Sequence, residues 1–353
     1  MLKLEARPQP SQAMSIASPL MALAITVLVG VLLFTVLGKD PLRGLQMFFV
    51  EPIKNGYAWG EIAIKATPLV LIALGLSICY RSNVWNIGAE GQFIMGAVFA
   101  GGVAMLAKPD SSRLFVVAIL GAGVLGGMVW AGLVALLRDR FNASEILVSL
   151  MLVYVAELLL GWLVYGPWKD PKGYNFPQTI SFEAVTRIPK LIDGSRAHIG
   201  VLIALGAVVL GWLLLFRTYA GFQLQVGGLA PAAARYAGFS SRHTLYLALL
   251  ISGGLAGLAG GLEAAGPLGQ LTPHVPAGYG FAAIIVAFVG RLHPLGVVFS
   301  AILMSMFFIG GELAQSRLGL PKSITGVFQG LLLFALLACD TLIHYRVCSV
   351  KRA

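Results

Sequence analysis

Charged residues are scarce in this chain, and their scarcity argues against a soluble fold. Aspartate, glutamate, lysine and arginine make up 11% of the 353 residues, while hydrophobic residues make up 58%. Soluble domains carry about 25% charged residues. Apolar runs of about twenty residues, long enough to cross a bilayer as a helix, recur along the sequence. The composition predicts an all-α, polytopic transmembrane protein, and the alternating segments of about ten residues that mark a β-barrel are absent.

Cysteine and histidine are also rare, and neither forms a metal or catalytic motif. The three cysteines, Cys79, Cys339 and Cys348, include no CxxC pair, so a disulfide framework or a zinc site is not expected. The histidines show no HExxH spacing and no Ser-His-Asp pattern, and the sequence has no GxxxxGK[ST] loop for ATP. We therefore expect no catalytic residue, no metal site and no cofactor in this chain.

The net charge of +10 is spread over loops and tails. Lysines and arginines beside membrane spans orient those spans and contact anionic lipid headgroups. These roles explain the charge better than nucleic-acid binding does, so we expect membrane lipid, and not nucleic acid, as a partner.

Apolar runs predict ten membrane spans. The eighth is short for a full crossing, so it either begins further out or is re-entrant. With boundaries good to a few residues, the spans are 17–37, 61–80, 90–107, 113–137, 144–165, 198–216, 244–263, 279–290, 294–313 and 323–343.

An even number of spans places both chain ends on one side. When the long loop is left out, the side of the membrane that holds the chain ends has more lysines and arginines than the other side. This distribution weakly favours cytoplasmic chain ends. We therefore expect one transmembrane domain at 17–343, with cytoplasmic tails at 1–16 and 344–353. Within it we expect an ordered, proline-rich periplasmic loop at 166–197 and a cytoplasmic loop at 217–244.

Glycines at helical spacing predict close helix packing. Gly123 and Gly127 lie four residues apart in the fourth span, and Gly253, Gly257 and Gly261 repeat that spacing in the seventh. Small residues at this spacing let helix backbones approach each other. We interpret them as packing residues rather than as substrate contacts.

Residues 217–244 are the longest polar interruption of the apolar second half, and they contain a short helix signal. Pro231 is followed by alanines, Arg235 and Tyr236, and then by Gly238. Proline inside a helix start, glycine just past its end and alanine between them all favour a helix. A helix of about seven residues is only about 10 Å long and is marginal by itself. It is either a capped surface helix or an element that docks on a partner.

A second polar interruption occupies residues 83–92, between the second and third spans. It contains Asn83, Trp85, Asn86, Glu90 and Gln92. Such groups are costly against lipid but acceptable where broken backbone lines a cavity or a neighbouring helix. Glu90 is expected in the first turn of the third helix, where the helix dipole favours a carboxylate. The residues either build a buried network that locks the helix break or contact a passing polar solute, and both roles are compatible.

The fifth span adds Glu145 and Ser149 to the candidate solute path. A helix cap explains much of the polar start of this span. Glu157 lies near its middle, where a carboxylate needs a polar partner or a pathway.

Four motifs together resemble the inner-membrane permeases of bacterial ABC importers, in the branched-chain amino acid, simple-sugar and nucleoside permease superfamily. The motif at 166–179 resembles the nucleoside (guanosine-type) and simple-sugar branch, and the resemblance covers about 60–343. The motifs are NVWNIGAEGQFIMGA at 83–97, GPWKDPKGYNFPQT at 166–179, GLAPAAARYAGF at 228–239 and GFAAIIVAFVGRLHPLGVVFSAIL at 280–303.

The resemblance implies a type II-like ABC importer permease, a multi-pass protein of the bacterial inner membrane that moves a nucleoside or purine, or a simple sugar. It implies a second, related permease subunit, a separate ATPase that binds ATP and Mg²⁺, and a lipoprotein or periplasmic binding protein. The short helix would be the coupling helix that seats in a groove of the ATPase. Its contact residues would be Pro231, Ala234, Arg235, Tyr236 and Gly238.

The chain departs from the family pattern at three positions. Gln225 and Ala230 stand where the family usually has arginine and asparagine, and Val153 stands where asparagine is common. The first two alter the detail of coupling contacts, and the third removes a polar group from the fifth span.

Two other classes compete with this interpretation. An ion-coupled secondary carrier, working without an ATPase, needs midplane charges for its ion, and only Glu157 and Glu90 suit that role. A membrane enzyme needs a catalytic cluster that the sequence does not contain.

Overall fold

The computed structural model describes residues 2–7, 9, 11–191 and 194–349. Residues 1, 8, 10 and 350–353 of the predicted tails, and residues 192 and 193 of the predicted outer loop, lie outside the described residues. The all-α prediction is confirmed for the described part. Its helices are α1 (Gln12–Val36), α2 (Pro41–Phe49), α3 (Gly56–Arg81), α4 (Ala89–Ala104), α5 (Phe115–Phe141), α6 (Glu145–Tyr165), α7 (Gly200–Arg217), α8 (Tyr219–Leu229), α9 (Pro231–Tyr236), α10 (Ser241–Glu263), α11 (Tyr279–Val289), α12 (Pro294–Leu318) and α13 (Ser323–His344).

Each of the ten predicted spans coincides with a helix. Within the described residues, eight helices are long and apolar enough to cross a membrane. The remaining two are α4, with 16 residues, and α11, with 11. The eighth span is therefore a short helix, as its apolar run indicated. A π-helical turn, Ala264–Leu268, extends α10 beyond its predicted end.

The two predicted tails contain regular structure that the sequence did not indicate. Strand β1 (Leu2–Ala6) pairs antiparallel with β2 (Tyr345–Ser349), with Leu2 opposite Ser349. Helix α1 begins at Gln12, before the predicted boundary, and the Ser11 side chain caps it by accepting from the Met14 N–H at 3.3 Å. The strands lie at opposite ends of the chain, so neither segment reveals its partner.

The contacts within the chain define two compact units. One unit is Gly60–Ile302, and the other combines the chain up to Trp59 with the chain from Leu303 onwards. In the second unit, α1 packs against α13, and four phenylalanines form an aromatic core. They are Phe34, Phe48, Phe307 and Phe328, with the Phe48 and Phe328 ring centroids 4.6 Å apart.

Helix α3 is among the most buried elements of the unit Gly60–Ile302, since 89% of the most apolar part of that helix is buried. Helices α4, α5 and α10 of the same unit cross one another at glycines. A Cβ on Gly257 would lie 2.9 Å from the Gly127 Cα, and a Cβ on Gly96 would lie 2.7 Å from the Gly257 carbonyl carbon. No side chain fits at such distances, so the prediction of close packing is confirmed.

The loop at 166–197 is ordered by backbone hydrogen bonds to the chain after α10. The N–H groups of Thr179, Phe182 and Ile188 donate to the carbonyls of Leu271, Gly269 and Ala265 at 3.0, 2.8 and 3.1 Å. These bonds fix the path of the loop between Thr179 and Ile188.

Candidate functional site

The polar stretch 217–244 forms two consecutive helices, α8 and α9, before α10 begins. Thr218 starts α8, because its hydroxyl accepts from the Gly221 N–H at 3.1 Å. Helix α9 has six residues and begins with Pro231 at its first position. The predicted short helix is therefore present, between an N-terminal proline and a glycine.

The C-terminus of α9 is closed by a Schellman motif. Gly238 has a φ of +81° and donates to the Arg235 carbonyl at 3.0 Å, while Phe239 donates to the Ala234 carbonyl at 2.9 Å. This pair of hydrogen bonds satisfies carbonyls that a helix end leaves free. The Phe239 ring packs edge-on against Phe222, with centroids 6.2 Å apart. Backbone geometry and one aromatic side chain thus hold this short helix.

The outer face of α9 is almost completely exposed. Tyr236 is 97% exposed, and Pro231, Arg235 and Gly238 are also exposed. Ala234, which we grouped with the predicted contact residues, is only 5% exposed and faces the protein. Ala234 is the buried residue of α9, so it forms the contact between this helix and the rest of the protein.

Residues 83–92 run back into the unit instead of continuing α3. Asn83 takes a left-handed conformation, with a φ of 55°, and α4 begins only at Ala89. Just before this start, Gly88 packs on Ser149 in the second turn of α6, where a Cβ would lie 2.5 Å from the Ser149 carbonyl oxygen. Helix α4 therefore starts inside the unit. The irregular backbone before it carries the buried Asn86 and Gly88 as well as the exposed Asn83 and Trp85.

A closed hydrogen-bond network fills this break. The Asn86 and Gln92 side chains exchange two hydrogen bonds, each 3.0 Å long. Asn86 Nδ2 also donates to Ser252 Oγ of α10 at 3.0 Å, and its Oδ1 accepts from the Gly88 N–H at 3.2 Å. Ser149 Oγ accepts from the Ile87 N–H at 3.2 Å. Buried polar groups satisfied in this way fix one arrangement of the break.

Glu90 joins α4 to the start of α11. Its two carboxylate oxygens accept from the backbone N–H groups of Gly278 and Gly280 at 2.9 and 2.5 Å, and the side chain is 1% exposed. No side chain of α11 itself caps this terminus. The carboxylate thus supplies the negative charge that a helix N-terminus favours.

The other candidate path residues are more accessible. Trp85 is 40% exposed, donates from Nε1 to Asn83 Oδ1 at 3.2 Å, and packs against Tyr80, with ring centroids 5.3 Å apart. Asn83 is exposed as well. Glu145 is paired with Arg138 at 3.2 Å. The predicted residues therefore divide into a buried set that locks the break and an exposed pair beside it.

Arg81, Ser252 and the Gln225 contact were not predicted as parts of the site. Arg81 Nε donates to the Leu292 carbonyl at 2.8 Å, and its Nη1 donates to Gln225 Oε1 at 3.3 Å. The available signal was an arginine at the end of an apolar span, next to the polar segment. Its partners are distant in sequence and could not be inferred from spacing.

A cavity of about 400 Å³ lies beside α9. Two ion pairs border it, Arg138 with Glu145 and Arg242 with Asp139, the second at 2.8 Å. Arg235 also lines the cavity. Within the described ranges, no group of three or more histidine, cysteine, aspartate or glutamate side chains is arranged to hold a metal ion.

Two histidines that lie just outside the helices, His198 before α7 and His293 before α12, have lowered pKa values. Burial lowers the pKa of His198, whose Nδ1 accepts from the Gly200 N–H at 3.1 Å. Burial and the positive charge of Arg81 lower the pKa of His293. Both side chains are therefore neutral near pH 7, and His293 adds no second charge beside Arg81.

Comparison with known proteins identifies the family. The family model described as "Branched-chain amino acid transport system / permease component" matches residues 59–337. The chain belongs to this permease family. Both polar interruptions of the permease lie inside the matched region.

Named relatives of the permease are ABC transporter permeases. The glucose ABC transporter permease protein TsgB13 of Haloferax volcanii is 31% identical, with 98% of this chain and 93% of the relative covered. The guanosine permease proteins NupP and NupQ of Bacillus subtilis are 29% and 30% identical. They cover 88% and 75% of this chain, and 89% and 85% of their own lengths are matched.

These likenesses and the apolar helices make the chain a multi-pass ABC transporter permease of the cell (inner) membrane. The predicted permease role is confirmed.

Proposed function

We propose that the permease imports a nucleoside or a simple sugar, using ATP hydrolysed by a separate subunit. The relatives named for guanosine and glucose support this substrate range. The chain itself would bind neither ATP nor Mg²⁺, since both would be held by the ATPase. Substrate choice would rest mainly with a lipoprotein or periplasmic binding protein, because the path through this chain carries few charges.

The observation that carries the coupling proposal is the exposure of α9. A helix of six residues is marginal by itself, yet the C-terminus of α9 is fully capped and its outer face is exposed. Arg235 and Tyr236 are the largest side chains on that face, and arginine and tyrosine are favoured anchors in protein interfaces. The ATPase groove would receive them, with Pro231 and Gly238 setting the bounds of the helix. In this proposal the α9 side of the membrane is cytoplasmic.

A second, homologous permease subunit would complete the path. The chain resembles both guanosine permeases of one organism, which supports pairing between two related chains. Asn83 and Trp85 are the candidate residues for contact with the solute, since they are exposed at the helix break. Their amide and indole groups suit a hydroxylated ring or a purine, which an aromatic face can stack against.

The buried candidates would serve the path indirectly. Four of them are each at most 1% exposed: Asn86, Glu90, Gln92 and Ser149. They would fix the backbone between α3 and α4 rather than contact the solute. Glu145 would act through its ion pair with Arg138.

Co-purification with the ATPase tests this proposal. Arg235→Glu reverses the charge of the docking face, and Gly238→Pro removes the left-handed residue and one donor of the cap. We expect both variants to lose ATPase association and transport in proteoliposomes. Arg113→Glu, the same reversal on an exposed residue before α5, is the matched control. Association and transport that survive both α9 variants would contradict the proposal and favour an ion-coupled carrier.

A further inference from the structure

Helix α11 is held at both ends by one short stretch of chain, residues 81–90. At its N-terminus, Glu90 accepts from the N–H groups of Gly278 and Gly280. Beyond its C-terminus, Arg81 Nε donates to the Leu292 carbonyl at 2.8 Å. A carboxylate at the start of a helix and a cation near its end both complement the helix dipole. We call residues 81–90 the clamp segment.

The turn that follows α11 has unusual backbone geometry. Arg291 and Leu292 are consecutive and have φ angles of +58° and +53°. Left-handed conformations are rare for residues with a Cβ, and they persist only where surrounding contacts impose them. The hydrogen bond from Arg81 to the carbonyl of Leu292 is one such contact, and the Leu292 N–H donates to Ala287 at 2.8 Å. Arg81 therefore helps hold the turn in its shape.

The same arginine also contacts α8, the helix that leads into α9. Arg81 Nη1 donates to Gln225 Oε1 at 3.3 Å, and Gln225 Nε2 donates in turn to the Leu215 carbonyl at 2.6 Å. The Arg81 guanidinium lies over the Phe216 ring, 5.2 Å from its centroid. Gly228 of α8 packs so closely that a Cβ there would lie 2.9 Å from the Ser82 carbonyl carbon. Helix α8 thus cannot shift without moving the clamp segment or breaking these contacts.

Helix α11 and the clamp segment are also joined by aromatic stacking. Phe288 of α11 stacks on Tyr80, the residue immediately before the clamp segment, with ring centroids 5.2 Å apart and an angle of 17° between the planes. Trp85 lies against the same Phe288 ring at 6.5 Å. A movement of α11 would therefore displace Trp85, which is the exposed aromatic at the helix break.

We propose that Arg81 is a positioning residue that passes the displacement of α8 and α9 to α11 and the clamp segment, so that they move together. This inference rests on the proposed function, in which the ATPase moves α9. Arg81 would act without contacting the ATPase or the solute. Gln225 is the acceptor through which α8 engages Arg81.

The test compares transport with ATP hydrolysis in the permease complex reconstituted in liposomes. Arg81→Gln removes the charge and the fork of donors. We expect ATPase association and ATP hydrolysis to stay within about twofold, while transport per ATP falls about tenfold, the loss expected from one charge-assisted hydrogen bond. Arg81→Lys keeps the charge without the fork and should recover part of the coupling. Arg217→Gln is the matched control, since Arg217 lies over Trp212 at 5.4 Å and has no described hydrogen bond to another helix.

A second variant separates coupling from folding. Gln225→Leu leaves the bond between Arg81 and Leu292 possible but removes the acceptor on α8, and it should also lower transport per ATP. Unchanged transport per ATP in both Arg81→Gln and Gln225→Leu would overturn the inference. So would a parallel fall of transport and hydrolysis, since that pattern marks general damage.

If no ATPase co-purifies with the permease, that result refutes the proposed function and not this inference. A measurement that needs no partner then tests the inference. Hydrogen exchange on the purified full chain should show about tenfold faster exchange at the amides of residues 290–293 in Arg81→Gln. Arg217→Gln should leave those amides unchanged. Equal exchange in the two variants would overturn the inference.

Discussion

Helix α9 and residues 83–92 are both polar interruptions of an apolar chain, yet they place their side chains in opposite directions. In α9, Arg235 and Tyr236 point away from the protein, and the backbone cap holds the helix. In residues 83–92, Asn86 and Glu90 point inward, and their side chains hold the backbone. The difference separates residues available to a partner from residues that define the fold. Substitutions should therefore cost stability in one segment and association in the other.

The largest effect on stability is expected at Glu90. Glu90→Ala leaves the N–H groups of Gly278 and Gly280 without an acceptor inside the protein, which should cost about 3 kcal/mol. Glu90→Gln keeps one oxygen and should cost less. The unfolding midpoint in detergent measures both variants. Equal unfolding midpoints for Glu90→Ala and the unmodified chain would contradict the view that residues 83–92 stabilise the fold whereas α9 serves a partner.

Asn86 should rank next. Asn86→Ala breaks the reciprocal pair with Gln92 and the bond to Ser252, for an expected loss of about 2 kcal/mol. Because the three side chains form one network, Asn86→Ala and Gln92→Ala should not be additive. A double-mutant cycle on the unfolding midpoint measures this coupling, and simple additivity would show that the side chains act separately.

Gly238 tests the backbone cap of α9. A Cβ there meets no atom within 4 Å, so only the φ of +81° opposes a side chain. Gly238→Ala should cost about 1 kcal/mol locally. Hydrogen exchange should rise at the amides of Gly238 and Phe239 and remain unchanged in α4. Faster exchange in both places would mean that the two segments are not independent.

The smallest stability effect is expected at Tyr236. The side chain is 97% exposed, so Tyr236→Ala should change the free energy of unfolding by no more than about 0.5 kcal/mol. The same variant should reduce ATPase association, because it removes an aromatic anchor. A large loss of stability without any loss of association would reverse the assignment of the two segments.

The helices were predictable because lipid requires long apolar runs, and each of the ten runs forms a helix. Helix α9 was predicted almost to the residue, since Pro231 and Gly238 mark its two ends by local backbone chemistry. Glycine packing was also predictable from the spacing of Gly253 and Gly257. In each case the deciding information lies within a few residues.

The features that the sequence did not predict depend on contacts between residues that are distant along the chain. Arg81 and the Leu292 carbonyl are 211 residues apart in sequence, so nothing near either position indicates their bond. The inward orientation of Ala234 requires knowing which side of α9 the protein covers. The pairing of β1 with β2 likewise needs the whole chain. Local chemistry therefore identified the segments, whereas tertiary structure decided which side chains they bury.

The aromatic core of the unit built from the chain ends has a consequence for biosynthesis. Phe34 on α1 packs against Phe328 on α13, and α1 reaches the membrane long before α13 has been translated. The residues of the other unit, Gly60–Ile302, are all synthesised in that interval. Until α13 is inserted, the face of α1 that will pack on α13 must therefore contact lipid or an insertion factor. Completion of this unit has to await the synthesis of α13, and a ribosome stalled before α13 would leave α1 without its partner.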